Sequence, residues 1–538
     1  MPARVLVLSG PVSSGKTTLA ESLRDDCKFL LIKTNQLIRS ASTGDTESRG
    51  GLQAAGDKLD RRTGGRWITD VLTRDPNVAA ESALVVLDSV RIIPQVECLR
   101  EAFGRRVTHI HLTADRQDLE HRYLRRRTSV REFSSYSALR RNLTERQVEG
   151  LASSADVVID TSRSTPLDVL TRVCAHLGLY ARSFERLVDV LVGGQYGSEG
   201  KGQVAAYLAR EYDVLVRVGG PNAGHKVWAV PEPNTFHHLP SGTGDSTARL
   251  VLGPGAVLRE LDLMQEIAKY RVNQDRLSID PQAMLIDDFD IRNEVGLKKS
   301  IGSTGRGVGV ATARKVLRGR ILGGKTRKVR LAQDSTILKP FVRDSRRVLD
   351  EAFASGQRVF LEGTQGTALS LHHGFYPHVT SRDTTVAGCL AEAGLAPSQV
   401  RRTILVCRTY PIRVQSPKDG TSGPMCQEIT WKVVAERSQI PEQELERTER
   451  TSTTNRRRRV AEFDWALLRK SASLNGPTDI ALTFADYITI ANREARRFEQ
   501  LSPETIRFIE EVERVSAAPV SLISTCFERR AVIDRRAW

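Results

Sequence analysis

Short apolar runs closed by glycine-rich turns punctuate the chain. The first, Val5-Leu6-Val7-Leu8, has the length and continuity of a strand buried on both faces of a parallel sheet. A glycine loop follows it, and then an amphipathic stretch that predicts a helix from about Lys16 to Asp25. Further apolar runs predict strands at Leu84 to Asp88, Val107 to Leu112 and Val157 to Asp160, with a helix from about Pro166 to Leu177. Strand and helix in alternation predict a doubly wound α/β domain over residues 1–179. The polar stretch Tyr180 to Arg186 reads as a linker. At Leu187 the pattern restarts with Val188-Asp189-Val190-Leu191-Val192 and a second glycine-rich turn, opening a larger α/β domain over 187–538. The glycine spacings of the two openings differ, so they are not repeats. The longest charge-dense segment, Pro441 to Arg459, predicts a mobile loop.

Composition adds bounds. At 538 residues and 40% hydrophobic content the chain exceeds one ordinary core and can build two or three. A net charge of +16 attracts polyanions, which phosphorylated small substrates satisfy as well as nucleic acid does. The Lys and Arg residues are dispersed and aromatics are only 6%, so a nucleic-acid partner is not expected. No apolar run approaches the length of a membrane span, and the N-terminus lacks a signal-peptide pattern, so no membrane partner and a cytoplasmic location are expected. The seven cysteines form no Cys-x-x-Cys pair and read as reduced packing residues.

The first glycine loop carries chemistry. Gly10-Pro11-Val12-Ser13-Ser14-Gly15-Lys16-Thr17 fits G-x-x-x-x-G-K-[ST] between a strand and a helix. Its backbone N–H groups cradle phosphates, Lys16 reaches the β and γ groups, and the Thr17 hydroxyl ligates Mg²⁺. Asp88 ends an apolar strand, where it is either a second Mg²⁺-organising carboxylate or a turn cap, and Arg91 follows it as a substrate-binding candidate. The segment is similar to small nucleotide kinases. That resemblance places an acceptor site at Thr34-Asn35 to Arg39 and an arginine lid at Arg122, Arg125, Arg126 and Arg127, residues that could equally be a solvated helix face. It implies nucleotide binding and a second, nucleotide kinase activity.

The second glycine loop, Gly193-Gly194-Gln195-Tyr196-Gly197-Ser198-Glu199-Gly200-Lys201-Gly202, is followed by Gly219-Gly220-Pro221-Asn222-Ala223-Gly224-His225. Further motifs come in order: His238 to Gly242, Ser303 to Gly309, Glu362 to Thr367, Tyr376 to Ser381, Thr453 to Arg459 and Ile523 to Thr525. Over some 340 residues the series resembles the adenylosuccinate synthetase family. The resemblance implies a large, mostly parallel sheet and a two-step reaction. A nucleoside triphosphate phosphorylates the 6-oxygen of a purine monophosphate, and the amine of L-aspartate displaces that phosphate. It implies His225, Ser198 and Lys201 as catalytic positions, with Lys201 a point charge toward phosphate. Asn222, Thr304, Gln365 and Thr380 would hold the monophosphate, together with Arg318 from a neighbouring subunit, hence a homodimer. Thr453, Thr454, Arg456 and Arg458 would clamp aspartate, whose carboxylates match guanidinium forks. Gly197, Gly200, Gly202, Asp486 and Ser524 would bind the donor triphosphate, GTP or ATP. Mg²⁺ would lie against Ser198 and Gly224.

Departures from the family bear on the substrate. Ser198 stands where the family carries a catalytic aspartate that takes the N1 proton of hypoxanthine. One reading is a silent nucleotide sensor. The other is a changed acceptor, because a hydroxyl leaves room for a 2-amino group and accepts a hydrogen bond from it, as in phage enzymes that act on dGMP and also lack this aspartate. Retention of His225, the monophosphate-binding positions and the arginine loop argues against a silent site, and dGMP-type use is favoured over IMP. The guanine-reading Thr-Lys-Leu-Asp appears as Thr483-Phe484-Ala485-Asp486, and Ser-Thr-Gly-Pro as Ser524-Thr525-Cys526-Phe527, so ATP or dATP competes with GTP as donor.

Overall fold

The computed structural model describes residues 2–42, 47–125, 133, 135–139, 143–180, 185–320, 326–451, 456–528 and 531–536. It divides into two compact units, Met1–Leu179 and Tyr180–Trp538.

The first unit is built on a five-stranded, all-parallel sheet in the order Leu30–Ile32, Leu84–Leu87, Arg4–Ser9, Val107–Thr113, Val157–Asp160. The period of two explains why Arg4–Ser9 has no polar face. Val5 and Val7 join one core with Trp67, Ile68 and Leu99, while Leu6 and Leu8 join another with Leu19, Leu23 and Val173. Each of these fully buried side chains contributes about 1.5–3 kcal/mol relative to exposure. The helix Lys16–Cys27 starts at the carboxyl end of this central strand. The short edge strand Leu30–Ile32 is not legible in the apolar pattern, because its residues are only half-buried.

The second unit carries a nine-stranded sheet. Its order is Leu277–Ile279, Arg249–Leu252, Val214–Arg217, Val359–Glu362, Val188–Gly193, Val400–Arg408, Asp479–Thr483, Val520–Ser524, Val532–Asp534. All pairs are parallel except the last. Asp189, a charge within the apolar strand Val188–Gly193, is fully buried and satisfied by Arg401 and by the Tyr212 hydroxyl at 2.7 Å. The carboxyl ends of Val188–Gly193, Val359–Glu362 and Val400–Arg408 deliver the glycine loop, Glu362 and Arg408 side by side, where open α/β sheets place ligands.

The segment expected as one mobile loop is structured on both sides of residues 452–455, which lie outside the described residues. Helix Glu442–Thr448 buries Leu445, and Arg458–Ala461 is a strand between Ile412–Val414 and Glu428–Ile429. Charge density hid the helix because a single apolar residue anchors it. No helix of the described residues is long and apolar enough to cross a membrane.

Candidate active site

The glycine loop between Val188–Gly193 and helix Lys201–Leu208 is organised by the fully buried Glu199. Its carboxylate accepts the backbone N–H groups of Gln195 (3.1 Å) and Gly197 (2.8 Å) and pairs with Lys201, itself 2% exposed. The Lys201 charge is therefore committed to shaping the loop. Gly197 lies over Gln365, and Gly200 opens the helix beside Thr483 and Phe484. Gly202 is required by closeness, since a Cβ there would stand 2.8 Å from the His225 Cβ and 2.9 Å from the Lys226 carbonyl oxygen. The absence of a side chain lets the His225–Val227 strand seat on the start of the helix.

His225 is the centre of a closed hydrogen-bond set. Its Nδ1 meets Glu362 Oε1, a carboxylate that also accepts the Ser241 hydroxyl, the Ser241 N–H at 2.7 Å and Arg217 at 3.4 Å. A carboxylate only accepts, so Nδ1 bears the proton and Nε2 is left for chemistry. Burial first, then the Arg217 charge, pushes His225 down to about 4 against the pull of Glu362. Burial alone would raise Glu362, but Arg217, His225 and Ser241 bring it down to about 2. The pair is thus a neutral imidazole against a carboxylate. His237 is likewise held near 4 by burial and by Arg217 and Arg306.

These histidines set an acid limit. Between about pH 6.5, the ordinary imidazole value, and 4, the unfolded chain binds protons that the folded one excludes. The stability of the second unit is expected to be full above about pH 6.5 and to fall as pH drops toward 4. Melting temperature against pH checks this, and a flat profile across the window contradicts it.

Ser198 is exposed, at φ 58°, and its Oγ accepts from Arg458 Nη2 at 3.4 Å. Arg458 also donates to Glu449 at 2.9 Å, and Glu449 receives Arg408 at 2.8 Å and the Tyr487 hydroxyl at 2.7 Å. Arg408 is fully buried, lies 4.0 Å from the Phe484 ring and reaches the Ser198 carbonyl at 3.4 Å. Burial would raise the Glu449 carboxyl, but the two guanidiniums hold it near 2. Sequence reasoning missed this network. Its only local sign is a strand, Val400–Arg408, that ends in an arginine. Glu449→Ala strands a buried guanidinium, so it should cost about 3–5 kcal/mol. Denaturant unfolding of the second unit reads it, and a loss under about 1 kcal/mol would show the network to be solvated.

The monophosphate candidates divide. Asn222 Nδ2 donates to Thr380 Oγ1 at 3.4 Å, while Asn222 Oδ1 and Gln365 Nε2 are buried without a partner. Unsatisfied buried polar atoms at a site mark places for ligand groups. Thr304 sits in the loop before helix Val308–Val316, and Arg318 is exposed just beyond that helix. Of the aspartate-clamp positions, Thr453 and Thr454 lie outside the described residues, whereas the Arg456 N–H donates to Thr451 at 2.9 Å.

On the donor side, Asp486 Oδ2 accepts from Arg493 at 3.1 Å and Oδ1 is buried without a partner. Burial raises its carboxyl to about 6 despite Arg493. Ser524 ends its strand with Oγ bonded to the Cys526 carbonyl at 3.0 Å. Among the described residues no three His, Cys, Asp or Glu side chains converge as a metal site. Ser198 and the Gly224 carbonyl fit Mg²⁺ only as neutral oxygen ligands, the rest supplied by donor phosphates.

In the first unit, the loop from Gly10 to Gly15 turns into its helix, and Lys16 Nζ donates to the carbonyls of Gly10 (2.7 Å) and Pro11 (2.8 Å) across the cradle. Thr17 is exposed at the cradle's edge. Asp88 Oδ1 accepts the Thr34 N–H at 2.9 Å, a capping bond, while Asp88 also lines the cavity with Lys16. Arg122 is tied to Thr161, and Arg126 and Arg127 lie outside the described residues.

A sequence model of adenylosuccinate synthetase matches residues 190–334 and 325–493. The adenylosuccinate synthetase of Methanocaldococcus jannaschii is 35% identical over 355 residues, 64% of this chain and 96% of that enzyme. That of Pyrococcus horikoshii is 34% identical over 357 residues, 64% and 98% respectively. Among solved structures, the cyanophage S-2L succinoaminodeoxyadenylate synthetase, bound to dGMP and to dATP as an energy donor, superposes with a TM-score of 0.54. It is 27% identical and covers 66% of this chain and 96% of the phage chain. Adenylosuccinate synthetase from Plasmodium falciparum, at 21% identity and a TM-score of 0.55 over 65% of this chain and all of its own, shares the fold. With its ordered motifs and its His225–Glu362 site carried on this sheet, the chain belongs to the adenylosuccinate synthetase family.

Proposed function

We propose that the second unit, residues 187–538, joins L-aspartate to the 6-position of a purine monophosphate through a 6-phosphoryl intermediate, with dGMP preferred over IMP. The observation that carries the preference is Ser198, an exposed hydroxyl between the glycine loop and Arg458. Similarity to the cyanophage enzyme, whose structure holds dGMP and dATP, supports it.

Asn222 Oδ1 would accept a hydrogen bond from the bound monophosphate nucleotide, and Gln365 Nε2 would donate one to it. Nε2 of His225, its ring fixed by Glu362, would face the 6-oxygen; a developing negative charge there favours the protonated ring, which then donates to it. Arg456 and Arg458, with Thr453 and Thr454, would fork the aspartate carboxylates so that its amine attacks C6 and phosphate leaves. Mg²⁺ would neutralise the donor phosphates, with Ser198 and Gly224 as neutral ligands. Asp486 has one oxygen taken by Arg493, which weakens bidentate reading of guanine and favours ATP or dATP over GTP. Arg318 would complete the monophosphate site of a partner copy, making the enzyme a homodimer. The first unit, residues 1–179, would bind a nucleoside triphosphate at Gly10, Gly15, Lys16 and Thr17 and act as a phosphotransferase.

The test is aspartate-dependent phosphate release, crossing IMP, GMP and dGMP with ATP, dATP and GTP. Turnover with dGMP and not IMP is the expected result. Turnover with IMP alone rejects the preference. Tight nucleotide binding without turnover in any pairing would make the unit a sensor.

A further inference from the structure

The cavity of the first unit, about 800 Å³, runs on past the P-loop to a wall formed by the helix Arg49–Thr63. Gln53, Gly56 and Asp60 share one face of that helix, the outer two roughly 10 Å apart along its axis. Gly56 lies between them, where a Cβ would come to 3.4 Å from the Ile38 side chain, and Trp67 borders the same cavity. Gln53 Nε2 donates to Glu145 Oε1 at 3.1 Å, and since a carboxylate only accepts, the amide orientation is fixed. Gln53 Oε1 is then buried without a partner in a residue only 9% exposed. Asp60 Oδ1 accepts from Trp67 Nε1 at 2.7 Å and Gln95 Nε2 at 2.9 Å, while Oδ2 accepts from none of the described residues. This wall presents hydrogen-bond acceptors.

The two arginines at this end act on one buried carboxylate. Arg91 is in an ion pair with the buried Glu145, and the Arg49 charge acts on the same carboxylate. A monophosphate dianion arriving here would meet Asp57 and Asp60 with no uncommitted arginine among these residues to receive it. An uncharged ligand bearing hydroxyl and N–H groups would satisfy Gln53 and Asp60 and stack its ring beside Trp67.

We propose that the first unit transfers the γ-phosphoryl group of a nucleoside triphosphate to a hydroxyl of an uncharged nucleoside held by Gln53 and Asp60. The proposal rests on the phosphotransferase reading of this unit. The acceptor hydroxyl oxygen bonds to the γ-phosphorus as the bond to the β–γ bridging oxygen breaks. The nucleoside diphosphate departs with that electron pair. The hydroxyl proton passes to the carboxylate of Asp88, which lines the cavity together with Lys16 and Arg91.

The experiment incubates the full chain with Mg²⁺, ATP and purine or pyrimidine nucleosides, or the matching monophosphates, and identifies products by mass spectrometry. Nucleosides are expected to become monophosphates, and Gln53→Leu to raise the nucleoside KM about tenfold or more with the KM for ATP unchanged. Asp88→Asn should lower kcat about a hundredfold while the nucleoside still binds. Phosphorylation of monophosphates and not nucleosides overturns the acceptor assignment and leaves the phosphotransferase reading intact. No transfer to either class, with ATP bound, overturns both. A Gln53→Leu protein that binds ATP and keeps the parent nucleoside KM removes Gln53 from the site.

Discussion

Replacing His225 by alanine is expected to lower kcat for aspartate-dependent phosphate release by about a thousandfold, with the KM for the monophosphate changed far less. The imidazole has its Nδ1 committed to Glu362, and in the proposed reaction its other nitrogen would meet charge developing on the 6-oxygen. The proposed binding groups are other side chains, Asn222 three residues upstream in the same loop and Gln365 on a different one, and the substitution removes neither. Glu362→Gln is the companion: it keeps the shape but reverses the proton preference at Nδ1, so it should lose a smaller share of kcat and move the acid limb of the rate profile. Steady-state kinetics on both variants with the preferred acceptor settles the matter. A His225→Ala enzyme within about tenfold of the parent would remove His225 from the reacting centre.

Ser198→Asp carries the second large effect. A carboxylate at this position would stand beside Arg458, whose guanidinium already reaches the serine hydroxyl at 3.4 Å, and near Arg408, which reaches the Ser198 carbonyl. Both cations favour the ionised form, so the new group would be available to accept the N1 proton of hypoxanthine. Its bulk would occupy the space that a 2-amino group needs. The expected outcome is a reversal of preference, with kcat/KM for IMP rising about a hundredfold and that for dGMP falling by a similar factor. Measured kcat/KM ratios decide it. An aspartate variant that still prefers dGMP would show that discrimination lies elsewhere in the site.

The parts of this molecule that were legible in the sequence are those where backbone geometry restricts residue choice. The loops at Gly10 to Thr17 and Gly193 to Gly202 need glycine where neighbouring chain comes close, as at Gly10 and Gly202, and the strands before them are largely apolar because both faces are covered. His225 could be placed because it follows such a loop. Glu449 could not, since its partners Arg408 and Tyr487 come from other segments and nothing local distinguishes it from the solvated glutamates around it. Glu362 was visible as the start of the motif that runs to Thr367, but the four donors converging on it come from three distant segments. The helix face of Gln53 and Asp60 reads as an ordinary polar surface until the cavity beside it is seen.

Those donors around Glu362 have a consequence for the energetics of turnover. Water answering a new charge must rotate, and that rotation is part of the barrier in solution. Here Arg217 and Ser241 are already aligned on the buried Glu362 carboxylate, which fixes the imidazole through Nδ1, so in the proposed reaction the Nε2 edge of His225 would be oriented before a nucleotide binds. The work of reorganisation is done once, when the sheet folds, and is not repeated in each catalytic cycle.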